Sequence, residues 1–112
     1  MKTMGVLLMI SLVFNGLDIL SGFIGALKNK ELNSSKMRDG FFKKAGFVFL
    51  NVLAVVIEYS RFYIDIPIGV NLVPITVGYT VLNEIISIVE NICILNPNLV
   101  PQKIKELLEL KE

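Results

Sequence analysis

Four carboxylates, Asp18, Glu58, Glu84 and Glu90, each interrupt a long run of aliphatic and aromatic residues. Two acids can do general acid/base work when they converge on one substrate. Glu84 and Glu90 would instead lie roughly 120° apart around a helix that turns 100° per residue. No nucleophile or phosphate-binding glycine loop accompanies them. The chain has no histidine and a single cysteine, Cys93. The commonest acid/base catalyst and metal ligand is therefore missing, and neither an intrachain disulfide nor a thiolate metal cluster can form. Cys93, in an apolar stretch, reads as a small buried hydrophobe. The expectation is a non-enzyme with no cofactor and no metal, in which the acids have a physical rather than a catalytic task.

The segments that must position these acids are too greasy for an ordinary soluble domain. Of the 112 residues, 54% are hydrophobic, and the mean hydropathy is +0.67. That composition reads as membrane, and the length allows one domain. Three apolar runs are long enough to cross about 30 Å of hydrocarbon as helices: residues 4–27, 45–64 and 75–95. The first run contains Asn15 and Asp18 and is preceded by only one lysine, Lys2, so it reads as a retained span rather than a cleaved leader. Ionisable groups at mid-membrane cost about 2.5–3.5 kcal/mol each and face a bundle interior or water.

On a helical wheel the polar residues of each run gather on one side. In residues 75–95 the side comprises Thr76, Thr80, Asn83, Glu84, Ser87, Glu90 and Asn91, within about a third of the circumference. In residues 4–27 it comprises Ser11, Asn15, Asp18, Ser21, Gly22 and Gly25, and the Ser21/Gly25 and Gly22/Ala26 spacings let helix backbones approach closely in lipid. In the second run Asn51 and Glu58 continue a seven-residue spacing that starts at Lys44 and ends at Asp65. Arg61 lies three residues past Glu58, a spacing that suits an ion pair, and Tyr59 and Tyr63 are rings of the kind found at headgroup level.

Between the spans, residues 28–44 form a basic loop with Lys28, Lys30, Lys36, Arg38, Lys43 and Lys44 against Glu31 and Asp39. The positive-inside rule keeps such a loop in the cytoplasm. Phe41 and Phe42 abut a span instead of interleaving with the charges, which argues against a nucleic-acid partner. Pro67, Gly69, Asn71 and Pro74 break the chain between the second and third runs. After Leu95, residues 96–112 hold Pro97 and Pro101 and then a short amphipathic helix with Ile104, Leu107 and Leu108 on one side. Nine of the eleven Lys and Arg fall on one side of this arrangement. The expected fold is all-α and integral to the membrane: three transmembrane helices plus a short C-terminal amphipathic helix, N-terminus out and C-terminus in.

Three helices with one polar face each can turn those faces inward within one bundle, or toward neighbours and water in a ring of copies. A core of three helices is thin, and with only Arg61 and the loop lysines nearby, Asp18, Glu58, Glu84 and Glu90 are not all expected to be ion-paired inside it. Assembly into a homo-oligomer in the lipid bilayer is therefore the favoured arrangement. The polar groups from Glu84 to Asn91 could also serve simply to glue helices together.

The chain resembles the three-span phage holins, and within them the toxin-secretion/phage-lysis family that includes clostridial toxin-release proteins. The matching residues are Asp18, Ser21 and Gly22 in the first run, Asn33-Ser34-Ser35 with Gly40 and Lys44 in the basic segment, and Asn83-Glu84, Ser87-Ile88 and Glu90-Asn91 in the third, followed by Pro101. It departs from many holins in its tail, where Lys103, Lys105 and Lys111 are balanced by Glu106, Glu109 and Glu112 rather than strongly basic. The resemblance implies a protein of the bacterial host's cytoplasmic membrane that oligomerises into a hole, releases an endolysin (a murein hydrolase) or a toxin, and so times lysis. The residues expected to line the pore or pack the helices are Asp18, Ser21, Gly22, Gly25, Asn51, Glu58, Asn83, Glu84, Ser87, Glu90 and Asn91. The competing expectation is a small membrane scaffold or a transporter or channel subunit that makes no large hole.

Overall fold

A computed structural model describes residues 2–30 and 34–108. They form α1 (Lys2–Lys28), α2 (Ser34–Ser60), α3 (Leu72–Leu95) and α4 (Gln102–Leu107), with no strand among the described residues. Three of these helices are long and apolar enough to cross a membrane: Thr3–Lys28, Met37–Ser60 and Leu72–Leu95. At 1.5 Å per residue each spans roughly 36–40 Å, more than the hydrocarbon core requires. Glu31, Leu32 and Asn33 of the basic segment, and Glu109, Leu110, Lys111 and Glu112 of the tail, lie outside the described residues.

The second helix differs most from the sequence expectation. The segment expected as a basic loop over 28–44 is helical from Ser34 onward, and α2 stops at Ser60 rather than near residue 64. Nothing between Ser34 and Lys44 breaks a helix except Gly40, whose cost is only about 1 kcal/mol. Clustered charge, which marks the cytoplasmic side of a membrane protein, does not by itself make a loop. The consequence is positional: Lys44 sits ten residues inside α2. At the other end, Asp65 falls in the exposed connection beyond α2 and leaves the seven-residue series.

Helix α3 is the hub. It packs most extensively on α1 and less on α2, while α1 and α2 touch only slightly. Pro74 is its third residue, where the missing N–H had no intrahelical partner to lose. Asn71 at its N-cap makes no side-chain cap. Glu58 of α2 does this work from across the bundle, its Oε1 accepting the Val73 N–H at 2.9 Å. At the other end Lys28 of α1 donates to the carbonyls of Ile94 (3.0 Å) and Leu95 (2.7 Å), satisfying acceptors that a helix C-terminus leaves open. The expected Glu58–Arg61 pair does not form. Arg61 instead donates to the Val70 carbonyl at 2.8 Å and closes the connection between α2 and α3.

The apolar core is small: Met4, Ala54, Val73 and Val77 are buried, with Leu7, Val55, Leu72 and Val81 packed against them. The outer surface is the apolar one, with Val6, Leu17, Leu20, Phe49, Val56, Phe62, Ile75 and Leu82 all exposed. A water-soluble domain does not expose a continuous apolar belt of this kind. In lipid it is the surface required. In α4, Ile104 and Leu107 are likewise exposed.

Candidate functional site: a polar core between three helices

The interior of the bundle is mainly polar. Ser11, Asn15, Asp18, Asn51, Thr80 and Glu84 are buried, and Glu84 is the largest fully buried side chain. Its position at the middle of α3 places a carboxylate as far as possible from either end of the helix.

Lys44 ties the interior together. Its Nζ donates to Asp18 Oδ2 at 2.5 Å and lies 3.4 Å from Glu84 Oε2. One ammonium from α2 thus faces an acid from α1 and an acid from α3. The sequence expectation placed this lysine in a cytoplasmic loop and held that the four acids would not all be ion-paired inside one chain. The helical start of α2 carries Lys44 to the level of Asp18 and Glu84, which it pairs, while Glu58 and Glu90 form no ion pair among the described residues. With all three groups ionised the cluster carries a net charge of −1.

Asn91 adds a second bond between α1 and α3. Its Nδ2 donates to Asp18 Oδ1 (2.8 Å), to the Asp18 carbonyl (3.3 Å) and to Ser21 Oγ (3.0 Å). At two glycines of α1 the side chains of α3 stand at van der Waals distance from where a Cβ would be. A Cβ at Gly22 would lie 3.4 Å from Asn91 Nδ2, and one at Gly25 would lie 3.4 Å from Ile94 Cγ2. One turn away from Glu84, Asn51 Nδ2 donates to Thr80 Oγ1 at 3.1 Å, and Thr80 passes its own hydrogen to the Thr76 carbonyl at 2.8 Å.

The network leaves buried atoms short of partners. Both side-chain atoms of Asn15, Asn51 Oδ1 and Glu84 Oε2 accept or donate no hydrogen bond, Glu84 Oε2 having only the Lys44 charge at 3.4 Å. An unsatisfied buried polar group costs about 1–3 kcal/mol.

The residues expected from sequence therefore divide. Asp18, Ser21, Gly22, Glu84 and Asn91 converge on one cluster, and Gly25 packs on α3 beside it. Asn51 and Glu58 join α2 to α3 at successive levels. Asn83, Ser87 and Glu90 do not converge: Asn83 Nδ2 bonds only to the Tyr79 carbonyl of its own helix, Ser87 makes no cross-helix hydrogen bond among the described residues, and Glu90 is exposed. Lys44 and Thr80 are the additions. The seven-residue series starting at Lys44 was the available signal for the first.

Among the described residues no group of His, Cys, Asp and Glu could hold a metal ion. A family model described as "Bacteriophage holin family" matches residues 2–112. No curated protein and no solved structure matches the chain.

Proposed function

The chain belongs to the bacteriophage holin family, and from that premise we propose that it accumulates in the host's cytoplasmic membrane and assembles with copies of itself into a hole. The hole would pass an endolysin or a toxin and set the time of lysis. The orientation that fits the distribution of Lys and Arg has the N-terminus outside and the C-terminus inside. The observation that carries the reading is the inversion of the fold, with ionisable and amide side chains at the centre and hydrocarbon on the outside.

In the closed form Lys44 screens Asp18 and Glu84 from lipid, so a single copy can sit harmlessly in a bilayer. That form is only partly satisfied, because Asn15, Asn51 and Glu84 each keep a buried atom without a hydrogen bond. Helix separation would let water reach these groups and remove their desolvation cost. One copy cannot enclose water, so the gain is realised only when several copies open together. The transition is then cooperative, as a timed event requires.

The test is expression of the chain alone in bacterial cells loaded with a folded fluorescent protein and a small dye. Loss of both, abruptly and after a delay, supports the hole. Loss of dye with retention of the protein would make it a small channel. Retention of both at high expression would make it a scaffold.

A further inference from the structure

Three contacts fix how α2 lies against α3: Glu58 with Val73 (2.9 Å), Asn51 with Thr80 (3.1 Å) and Lys44 with Glu84 (3.4 Å). The helices are antiparallel, and one advances along the bundle about as fast as the other recedes. Continuing roughly six residues beyond the last contact brings Arg38 of α2 level with Glu90 of α3, since both helices rise 1.5 Å per residue. Both residues are exposed. Neither forms an ion pair or a side-chain hydrogen bond among the described residues. Both lie near the ends of α2 and α3 on the side expected to be cytoplasmic, close to the membrane surface, where opposite charges on neighbouring copies can pair.

Their directions differ. Arg38 stands about 120° around α2 from Lys44, and Glu90 about 120° around α3 from Glu84. Lys44 and Glu84 face each other, and in antiparallel helices the two 120° rotations carry Arg38 and Glu90 to opposite sides of the α2–α3 pair. One copy therefore cannot close this ion pair on itself. A second copy standing beside it in the same orientation can. The flanking residues suit such a contact: Phe42 and Phe49 are exposed on the Arg38 side of α2, and Ile86 and Tyr79 on the Glu90 side of α3.

We infer that these two surfaces form the seam between adjacent copies, with Arg38 of one copy paired with Glu90 of the next. The seam is heterologous, so it propagates from copy to copy instead of stopping at a dimer. It is separate from the Asp18–Lys44–Glu84 cluster, which holds each copy together internally. The inference rests on the proposed self-assembly but not on the size or cargo of any hole.

The test is cysteine cross-linking of the full chain in bacterial membranes, in a Cys93→Ser background. With Arg38→Cys and Glu90→Cys in the same chain, oxidation should give a ladder of dimers, trimers and larger species. Either single variant should give at most a dimer. A double variant that stops at dimers, or gives no cross-link between chains, overturns the seam. A charge exchange gives an independent readout without cysteine: Arg38→Glu and Glu90→Arg should each reduce native oligomers to monomers, and the two together should restore them. Oligomers unchanged in both single variants overturn the seam as well. Dye and protein release are measured in the same cells. A ladder without release leaves the seam standing and removes the hole; release without a ladder does the reverse.

Discussion

Lys44 and Glu84 meet across the α2–α3 interface, Nζ to Oε2 at 3.4 Å, at the midpoint of α3, with Glu84 fully buried and Lys44 mostly so. The same ammonium holds Asp18 of α1. Removing the lysine would leave two acids in a low-dielectric core with no compensating charge. Breaking a buried pair from one side costs about 3–5 kcal/mol, whereas replacing every member by apolar or neutral groups is often close to neutral. Lys44→Met should therefore destabilise the bundle by about 3 kcal/mol or more, measured as the unfolding free energy in mixed micelles. The triple variant Asp18→Asn, Lys44→Met, Glu84→Gln should recover most of that loss. In cells Lys44→Met should advance the time of membrane failure.

Glu84→Gln and Glu90→Gln separate the interior acid from the exterior one. Both should change lysis timing, by different routes. Glu84→Gln keeps the volume and removes the partner of Lys44, so it should alter monomer stability and timing together. Glu90→Gln should leave monomer stability unchanged and alter timing alone. Unchanged timing in both variants would remove the carboxylates from the mechanism.

Asn91 binds α1 through one amide nitrogen with three acceptors. Cross-helix hydrogen bonds inside membranes average about 0.6 kcal/mol and reach about 1.7 kcal/mol. Asn91→Leu should fall at the upper end of that range, because it also leaves Ser21 and Asp18 with lost donors. The loss can be read from the efficiency of a cysteine cross-link between α1 and α3.

Gly22→Leu tests the close approach itself. A Cβ there would already touch the Asn91 side chain at 3.4 Å, so the rest of a leucine must displace Asn91 or push α1 away from α3, at a cost of about 1–3 kcal/mol for overpacking. Gly5→Leu, at a position with nothing within 4 Å of an added Cβ, is the control and should leave stability within about 0.5 kcal/mol.

Glu58 supplies the cap that Asn71 does not. Glu58→Leu should cost about 1 kcal/mol, the usual value of an N-cap, and Glu58→Gln, which keeps an acceptor, should cost less. Amide hydrogen exchange at Val73 would report the difference locally.

The sequence makes the three-helix membrane architecture legible because each span is long, uninterrupted and apolar on most of its circumference. The inward faces of α1 and α3 are legible too, since Asp18, Ser21, Glu84 and Asn91 align at helical spacing. What a wheel cannot give is the partner across the gap. Asn91 and Asp18 stand on different helices, and nothing in either segment says that they meet. Lys44 was misplaced for a related reason. A lysine among Lys43, Arg38 and Lys36 looks like part of a solvated charge cluster, and only the helical continuation back to Ser34 carries it to the depth of Asp18 and Glu84. Glu90 shows the converse. It falls on the same third of the wheel as Glu84, yet 120° is enough to move a side chain from the centre of a three-helix bundle to its rim.

The uneven packing of the three helices has a mechanical corollary. Lys28 clasps the end of α3, Asn91 clasps the middle of α1, and Gly22 and Gly25 seat the two helices flush, so α1 and α3 behave as a riveted plate. By contrast α2 hangs from that plate by a few pins, chiefly Glu58, Asn51 and Lys44. A swing of this single leaf would carry the only ammonium in the cluster away and leave both acids behind on the plate. With the three groups ionised, the cluster left on the plate would then go from a net charge of −1 to −2 in one movement.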